Sequence, residues 1–271
     1  MSKDYKLCIF DCDGTLTTSK SGETFRKSAD DWKWLPGRLE KIKELQEAEK
    51  RIAVCTNQGG LIWHEATEED KYPTPIMLGE ALKHTITMIS AQSPTKQDPW
   101  YISLYDQRAV DMINKNIEKE ILALSEIAGH STDPQAAPEY ETPEEILERL
   151  QKELFEALQQ FNVRISIDPS WRKPEPGMLL HAIQYFQVGL EETLFVGDRP
   201  EDEKAAKAAG VDFMWANDFF KQDQDTSEDI SPEADIIIQN VDPAVRNAYE
   251  EELINPSPRR IEDDGGPAIF A

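Results

Sequence analysis

Lys6-Leu7-Cys8-Ile9-Phe10-Asp11-Cys12-Asp13-Gly14-Thr15-Leu16 decides how the rest of the chain is read. Its apolar run reads as a buried strand that stops at two aspartates separated by one residue. Along an extended backbone, residues i and i+2 project to the same side, so Asp11 and Asp13 can converge on one point. Gly14 permits a sharp turn and Thr15 adds a hydroxyl. Two like charges that close need a shared proton, a cation or a divalent metal between them. Hard oxygen ligands at a strand end favour Mg²⁺. The competing reading is an acidic turn, since Asp and Gly are common turn formers.

The second strand, Arg51-Ile52-Ala53-Val54-Cys55, ends in Thr56-Asn57-Gln58-Gly59-Gly60. Between the two strands, Leu39, Ile42, Leu45 and Ala48 recur at helical spacing behind Pro36-Gly37. Strand, helix, strand predicts a parallel βαβ unit with a right-handed crossover. Both strands then finish at one edge of the sheet, where open α/β sheets bind ligands, and Thr56 comes beside Asp11 and Asp13. Further along, Val163 to Ile167 and Thr193 to Gly197 read as strands, the latter closing on Asp198-Arg199-Pro200-Glu201-Asp202. Val211 to Ala216 and Ala234 to Gln239 are expected to complete the sheet. Thr142-Pro143-Glu144-Glu145 is a capping box opening a helix to about Phe161. The basic loop Trp171-Arg172-Lys173-Pro174 leads into another helix.

Residues 62–140 are expected to be a helical insertion or cap, with helices from Ile76 to Ile89 and from Arg108 to Ala128. The second of these carries an apolar stripe at Val110, Ile113, Ile117, Ile121, Leu124 and Ile127, read as core. The expected organisation is a core from residues 1–61 and 141–254, the 62–140 insertion, and a mobile tail over 255–271.

The chain has 271 residues, 30% of them charged, and a net charge of −23. Such acidity repels nucleic acid and anionic membranes unless a local basic patch overrides it. Lys20, Arg26 and Lys27, with Arg172 and Lys173, are candidates for such a patch. The three cysteines, Cys8, Cys12 and Cys55, have no C-x-x-C spacing and make a poor disulfide framework. No apolar run approaches the ~20 residues of a membrane span. A reducing, cytoplasmic setting is the expectation, with no membrane partner. There is no G-x-x-x-x-G-K-[ST] loop, so any kinase activity would have to lie on another chain.

Asp11 and Asp13, Thr56, Lys173, and Asp198 with Asp202 thus come from four strand ends or loops. They offer a nucleophile, an acid/base, a hydroxyl, a cation and metal ligands, the set that phosphoryl transfer needs. In this order, D-x-D-G-T, T-N-Q, R-K-P-x-x-G-M and V-G-D-x-x-x-D, the motifs resemble those of the haloacid dehalogenase superfamily of phosphatases. The resemblance covers about Lys6 to Asn57 and Pro143 to Asn240. It implies a three-layer, doubly wound parallel α/β sheet with Asp11 as nucleophile and Asp13 as general acid/base. It also implies Thr56 and Lys173 on the phosphoryl oxygens, with Asn57 and Arg172 beside them on the substrate. Mg²⁺ would lie on Asp11, the Asp13 carbonyl and Asp198, with Asp202 in support; Glu201 is the alternative to Asp202. The intact Asp13 favours phosphoester hydrolysis over dehalogenation.

Thr56-Asn57-Gln58 and Arg172-Lys173-Pro174 are similar to the subclass with histidinol phosphatases, heptose bisphosphate phosphatases and polynucleotide 3′-phosphatases. The zinc loop of heptose-type members is missing, because Asp168-Pro169-Ser170-Trp171 has no cysteine. Thr17 to Gly22, Phe25, Ser28, Asp31-Trp32 and Asn217-Asp218-Phe219-Phe220 resemble polynucleotide kinase 3′-phosphatases. The expectation leans to a DNA 3′ end as substrate. A small phosphorylated metabolite, such as a sugar phosphate or histidinol phosphate, is the alternative, and a non-catalytic phosphate- or partner-binding module the third.

Overall fold

The computed structural model of the chain describes residues 3–67, 69–92, 98–127 and 140–221. At its centre is a six-stranded, all-parallel sheet: β1 (Leu7–Phe10), β4 (Arg51–Asn57), β5 (Trp100–Ser103), β6 (Val163–Ser166), β7 (Thr193–Gly197) and β8 (Asp212–Trp215), in the order β6-β5-β4-β1-β7-β8. The chain starts in the middle with β1 and winds outward through β4, β5 and β6. It then returns to the other flank of β1 with β7 and β8. This reversal makes the carboxyl ends of β1 and β7 the switch point where such sheets leave a crevice.

Alternation along each strand sorts the core into two layers. Leu7 and Ile9, with Ala53, Cys55 and Phe195, face α6 (Gly177–Phe186) and α7 (Pro200–Ala209). Cys8 and Phe10, with Ile52, Val54, Ile102 and Val196, face α1 (Arg38–Glu47), α2 (Gly60–Thr67), α3 (Pro75–Gln92), α4 (Gln107–Ile127), α5 (Pro143–Leu158) and α8 (Ala216–Lys221). Strands covered on both faces need continuous apolar runs, which is how β1, β4 and β7 read in the sequence. Phe219 and Phe220 of α8 close on Phe10, with ring centroids 5.7 and 6.1 Å away. The Arg38 guanidinium lies 3.9 Å from the centre of the Phe220 ring. All three cysteines are buried and free.

The boundary expected at residue 62 is corrected. The 62–140 segment supplies β5, which pairs with β4 on one side and β6 on the other, and α3 packs against α5. Its described residues are therefore part of the sheet's own framework, and the described residues of the chain fall in one compact unit. Trp100-Tyr101-Ile102-Ser103 is too short a run to display a period, so only its bounding Pro99 and its β-forming residues could have marked it. On α4 the apolar stripe is also cut short. Val110 and Ile113 are buried and Ile117 partly so, but Ile121 and Leu124 lie exposed, since the helix runs past the edge of the core. The strand expected at Ala234 to Gln239, the tail, and the loop across 128–139 lie outside the described residues. No helix among the described residues is long and apolar enough to cross a membrane.

Between β1 and α1 the chain forms a small flap, β2 (Thr17–Thr18) paired antiparallel with β3 (Lys33–Trp34). Asp31 organises its loop by accepting hydrogen bonds from the Ser21 amide at 2.7 Å, the Ser21 hydroxyl at 2.7 Å and the Lys27 amide at 2.9 Å.

Candidate active site

The carboxyl ends of β1, β4 and β7 deliver Asp11, Thr56 and Asp198 to one place, and the loop before α6 delivers Lys173. The Lys173 side chain is 2% exposed. Its ammonium bonds Asp11 Oδ1, lies 2.8 Å from Asp202 Oδ1 and donates to the Cys55 carbonyl at 3.1 Å. Burial works against that charge, but Asp11 and Asp202 outweigh it and hold the lysine protonated well above its ordinary range. Asp11 is likewise buried. Burial pushes its carboxyl up to about 7 against the pull of Lys173, and Asp202 and Asp198 push the same way.

One carboxylate oxygen from each of Asp11, Asp198 and Asp202 lies within 4.8 Å of the other two. Three carboxylates around one ammonium leave surplus negative charge on hard oxygen donors, and that donor set fits Mg²⁺. Asp202 is the most committed of the three. Its Oδ2 accepts from the Asp198 and Arg199 amides at 3.2 and 3.0 Å, while Oδ1 faces Lys173. Glu201, the alternative to Asp202, instead lies 3.7 Å from Arg199. Asp198 is the more exposed and accepts from the Thr15 hydroxyl at 3.1 Å. Burial raises its pKa, with Thr15 opposing. Gly14 is required here. Its φ is +91°, and a Cβ would lie 2.2 Å from Asp198 Oδ2.

Asp13 projects elsewhere. Its carboxylate accepts from Arg26 Nη2 at 2.7 Å, from Gln58 Nε2 at 2.8 Å and from the Thr17 hydroxyl at 3.4 Å. Burial alone would raise its pKa, but Arg26 and Gln58 overcome that and hold it below the usual carboxylate range. The Asp13 side chain is thus separate from the three-carboxylate cluster. Gln58 also donates to Thr56 Oγ1 at 2.9 Å, which leaves the threonine's own hydroxyl hydrogen free.

Two expected substrate-binding side chains are occupied. The Asn57 amide clamps the Lys173 main chain reciprocally, Nδ2 donating to its carbonyl at 3.0 Å and Oδ1 accepting its amide at 3.1 Å. Arg172 donates to the Tyr105 carbonyl at 2.8 Å and to Asp106 at 2.7 Å. Both fix the loop that carries Lys173. Gln58, Arg26 and Asp106 acquire their roles only through the fold. Gln58 stood inside the quoted T-N-Q motif without a role, and Arg26 appeared only as one charge in a basic patch.

Beside Asp13 opens a cavity of about 180 Å³, walled by the flap loop with Phe25 and Arg26, by Leu78 and Ala81 of α3, and by Arg199.

The fold and this arrangement are of the haloacid dehalogenase class. Within that class the chain belongs to the polynucleotide kinase 3 phosphatase family, whose sequence model matches residues 6–226. Among curated proteins it is 39% identical over 62 residues to a bifunctional polynucleotide phosphatase/kinase of Schizosaccharomyces pombe, covering 22% of this chain and 15% of that protein. It is 41% identical over 56 residues to a D-glycero-beta-D-manno-heptose-1,7-bisphosphate 7-phosphatase of Bordetella bronchiseptica, covering 21% and 30%. The alignments thus span less than two thirds of these relatives. Among solved structures, the D,D-heptose 1.7-bisphosphate phosphatase of B. bronchiseptica, complexed with magnesium and phosphate, aligns at a TM-score of 0.35. Its identity is 21%, over 77% of this chain and 78% of that one.

Proposed function

We propose that the chain is a Mg²⁺-dependent phosphomonoesterase acting through an aspartyl-phosphate on Asp11, with a polynucleotide 3′-phosphate as substrate. The observation that carries the reading is the divergence of two aspartates two residues apart. Asp11 is buried against Lys173 and the other carboxylates, while Asp13 turns to the cavity wall. In this reading the first carboxylate is the nucleophile and the second handles the proton of the leaving group.

In the first step an Asp11 oxygen forms a bond to phosphorus as the bond to the leaving oxygen breaks. Asp13, ionised while Arg26 and Gln58 hold it, takes the proton of the incoming phosphomonoester monoanion and gives it to that oxygen. In the second step Asp13, now the carboxylate that Arg26 and Gln58 favour, takes a proton from water. The water oxygen displaces Asp11 and inorganic phosphate leaves. Thr56, with its hydroxyl hydrogen free, and Lys173 hold the phosphoryl oxygens. Asp11, Asp198 and the Asp13 carbonyl would hold Mg²⁺, with Asp202 orienting Lys173 and the loop after β7. When bound, the ion supplies neutralisation of charge on the phosphoryl group.

The family supports the polynucleotide substrate. The net charge of −23 and the similarity to heptose bisphosphate phosphatases favour a sugar phosphate instead. Two measurements test the reading. Asp11→Asn is expected to abolish turnover of an aryl phosphate with Mg²⁺ present, and retained turnover would sink the aspartyl-phosphate. Side-by-side hydrolysis of a 3′-phosphorylated oligonucleotide and a sugar-phosphate panel is expected to favour the oligonucleotide; the opposite preference assigns the second substrate class.

A further inference from the structure

Gln58 joins two parts of the site that lie on different strands. Its side-chain nitrogen is 2.8 Å from Asp13 Oδ2, on the loop after β1, and 2.9 Å from Thr56 Oγ1, near the end of β4. An ionised carboxylate only accepts and an amide NH₂ carries two hydrogens, so one hydrogen goes to each oxygen. The residue is buried and its main chain is pinned. Its amide donates to the Ser103 carbonyl of β5 at 2.7 Å, and its carbonyl accepts from the Leu61 amide of α2 at 3.4 Å. The side chain thus departs from a fixed point. Arg26 holds the other oxygen of Asp13 from the flap, at 2.7 Å. A role in packing would call only for the shape of Gln58, whereas these two bonds from one nitrogen call for its donors.

We infer that Gln58 is a positioning residue that fixes where the proton is handled relative to where the phosphoryl group is held, which rests on the phosphomonoesterase reading and deepens it. With Oδ2 tied, the Asp13 carboxyl cannot swing away from the leaving oxygen, and a misplacement of about 1 Å at a reacting group costs on the order of 10²-fold. With its oxygen already accepting, Thr56 must turn its hydroxyl hydrogen to some other acceptor, and a phosphoryl oxygen fills that place. An amide withdrawn from both would loosen proton handling and phosphoryl binding together.

The test uses the full chain with Mg²⁺ and the variants Gln58→Met and Gln58→Asn. An aryl leaving group departs without a proton, so with p-nitrophenyl phosphate Asp13 is needed mainly when water attacks. An alkyl ester such as glycerol phosphate needs Asp13 in both steps. The variants are expected to lose at least about tenfold more kcat/KM on glycerol phosphate than on p-nitrophenyl phosphate. With the aryl ester they are expected to show a burst of nitrophenol, because the second step has become the slow one. Binding of inorganic phosphate, read by titration calorimetry, is expected to weaken by about fivefold or more. In a Thr56→Val background the same Gln58 change is expected to alter it by no more than about twofold, because Gln58 acts there through the threonine hydroxyl. Equal losses on the two esters without a burst, or variants that match the native chain, overturn the inference. Should Gln58→Met not fold, Gln58→Asn decides, since it keeps the amide but draws it back by one methylene. A native chain that hydrolyses neither ester, yet loses phosphate affinity on changing Gln58 only when Thr56 is present, disproves the phosphatase reading and keeps Gln58 as a positioning residue. An active native chain whose variants show neither the split nor the weaker phosphate binding does the reverse.

Discussion

Lys173 is where the site's electrostatics concentrate, because its ammonium meets both Asp11 and Asp202 inside the protein. A buried ion pair adds little over a hydrophobic one, but removing one partner leaves the other charged and unpaired. Lys173→Met should therefore cost roughly 3–5 kcal/mol of unfolding free energy, read as a lowered midpoint in urea. A loss below about 1 kcal/mol would mean that the two carboxylates do not depend on the lysine. The residue types at this point were legible in the sequence, because Asp11, Asp13, Thr56, Lys173 and Asp198 each stand at a strand end or in a motif. Their partners were not. Asn57 and Arg172 look like substrate ligands from their position beside motif residues, and only the fold reveals that the Lys173 loop and Asp106 occupy them. Arg26 lies in a loop without period or motif, so nothing local marks it as the companion of Asp13.

The flap is the element in which a single carboxylate carries most of the organisation. Asp31 accepts from Lys27 and Ser21, and these bonds, the Lys27 amide foremost, hold its pKa down at about 2. A carboxyl depressed in the folded state stabilises it above the unfolded value near 4. That contribution is lost as pH falls through the folded value. The flap is expected to loosen between about pH 4 and pH 2, ahead of any change at neutral pH. Trp32 and Trp34, in edge contact at 6.1 Å, report it through fluorescence. Asp31→Asn should weaken the chain by about 1–2 kcal/mol at pH 7 and flatten that acid transition. An unchanged transition would place the titration elsewhere. At the same scale, β1, β4 and β7 were readable because strands buried on both faces must be apolar throughout. By contrast β5, four residues with Tyr101 and Ser103 among them, carries too little pattern. Missing it turned a stretch of the sheet's own framework into an expected insertion.

For the molecule as a whole, a net charge of −23 sits awkwardly with a polynucleotide substrate, and the resolution has a measurable signature. A protein that tracks a nucleic-acid backbone along a basic groove releases many counterions, and its affinity falls steeply with salt. Here the cavity beside Asp13 is lined by two guanidiniums, Arg26 and Arg199. If a DNA 3′ end is held there, about two phosphates are neutralised, which for a single strand gives a log–log slope near −1.4. The prediction is that kcat/KM for a 3′-phosphorylated oligonucleotide falls with KCl at a slope between about −1 and −2, and that lengthening the strand upstream leaves it unchanged. Arg26→Met should bring the slope closer to zero by about 0.7, the share of one phosphate contact. A slope of about −4 or steeper, growing with strand length, would require a basic track along the strand that these two arginines cannot supply. It would make this chain a backbone reader despite its charge, whereas a shallow slope makes it a reader of ends.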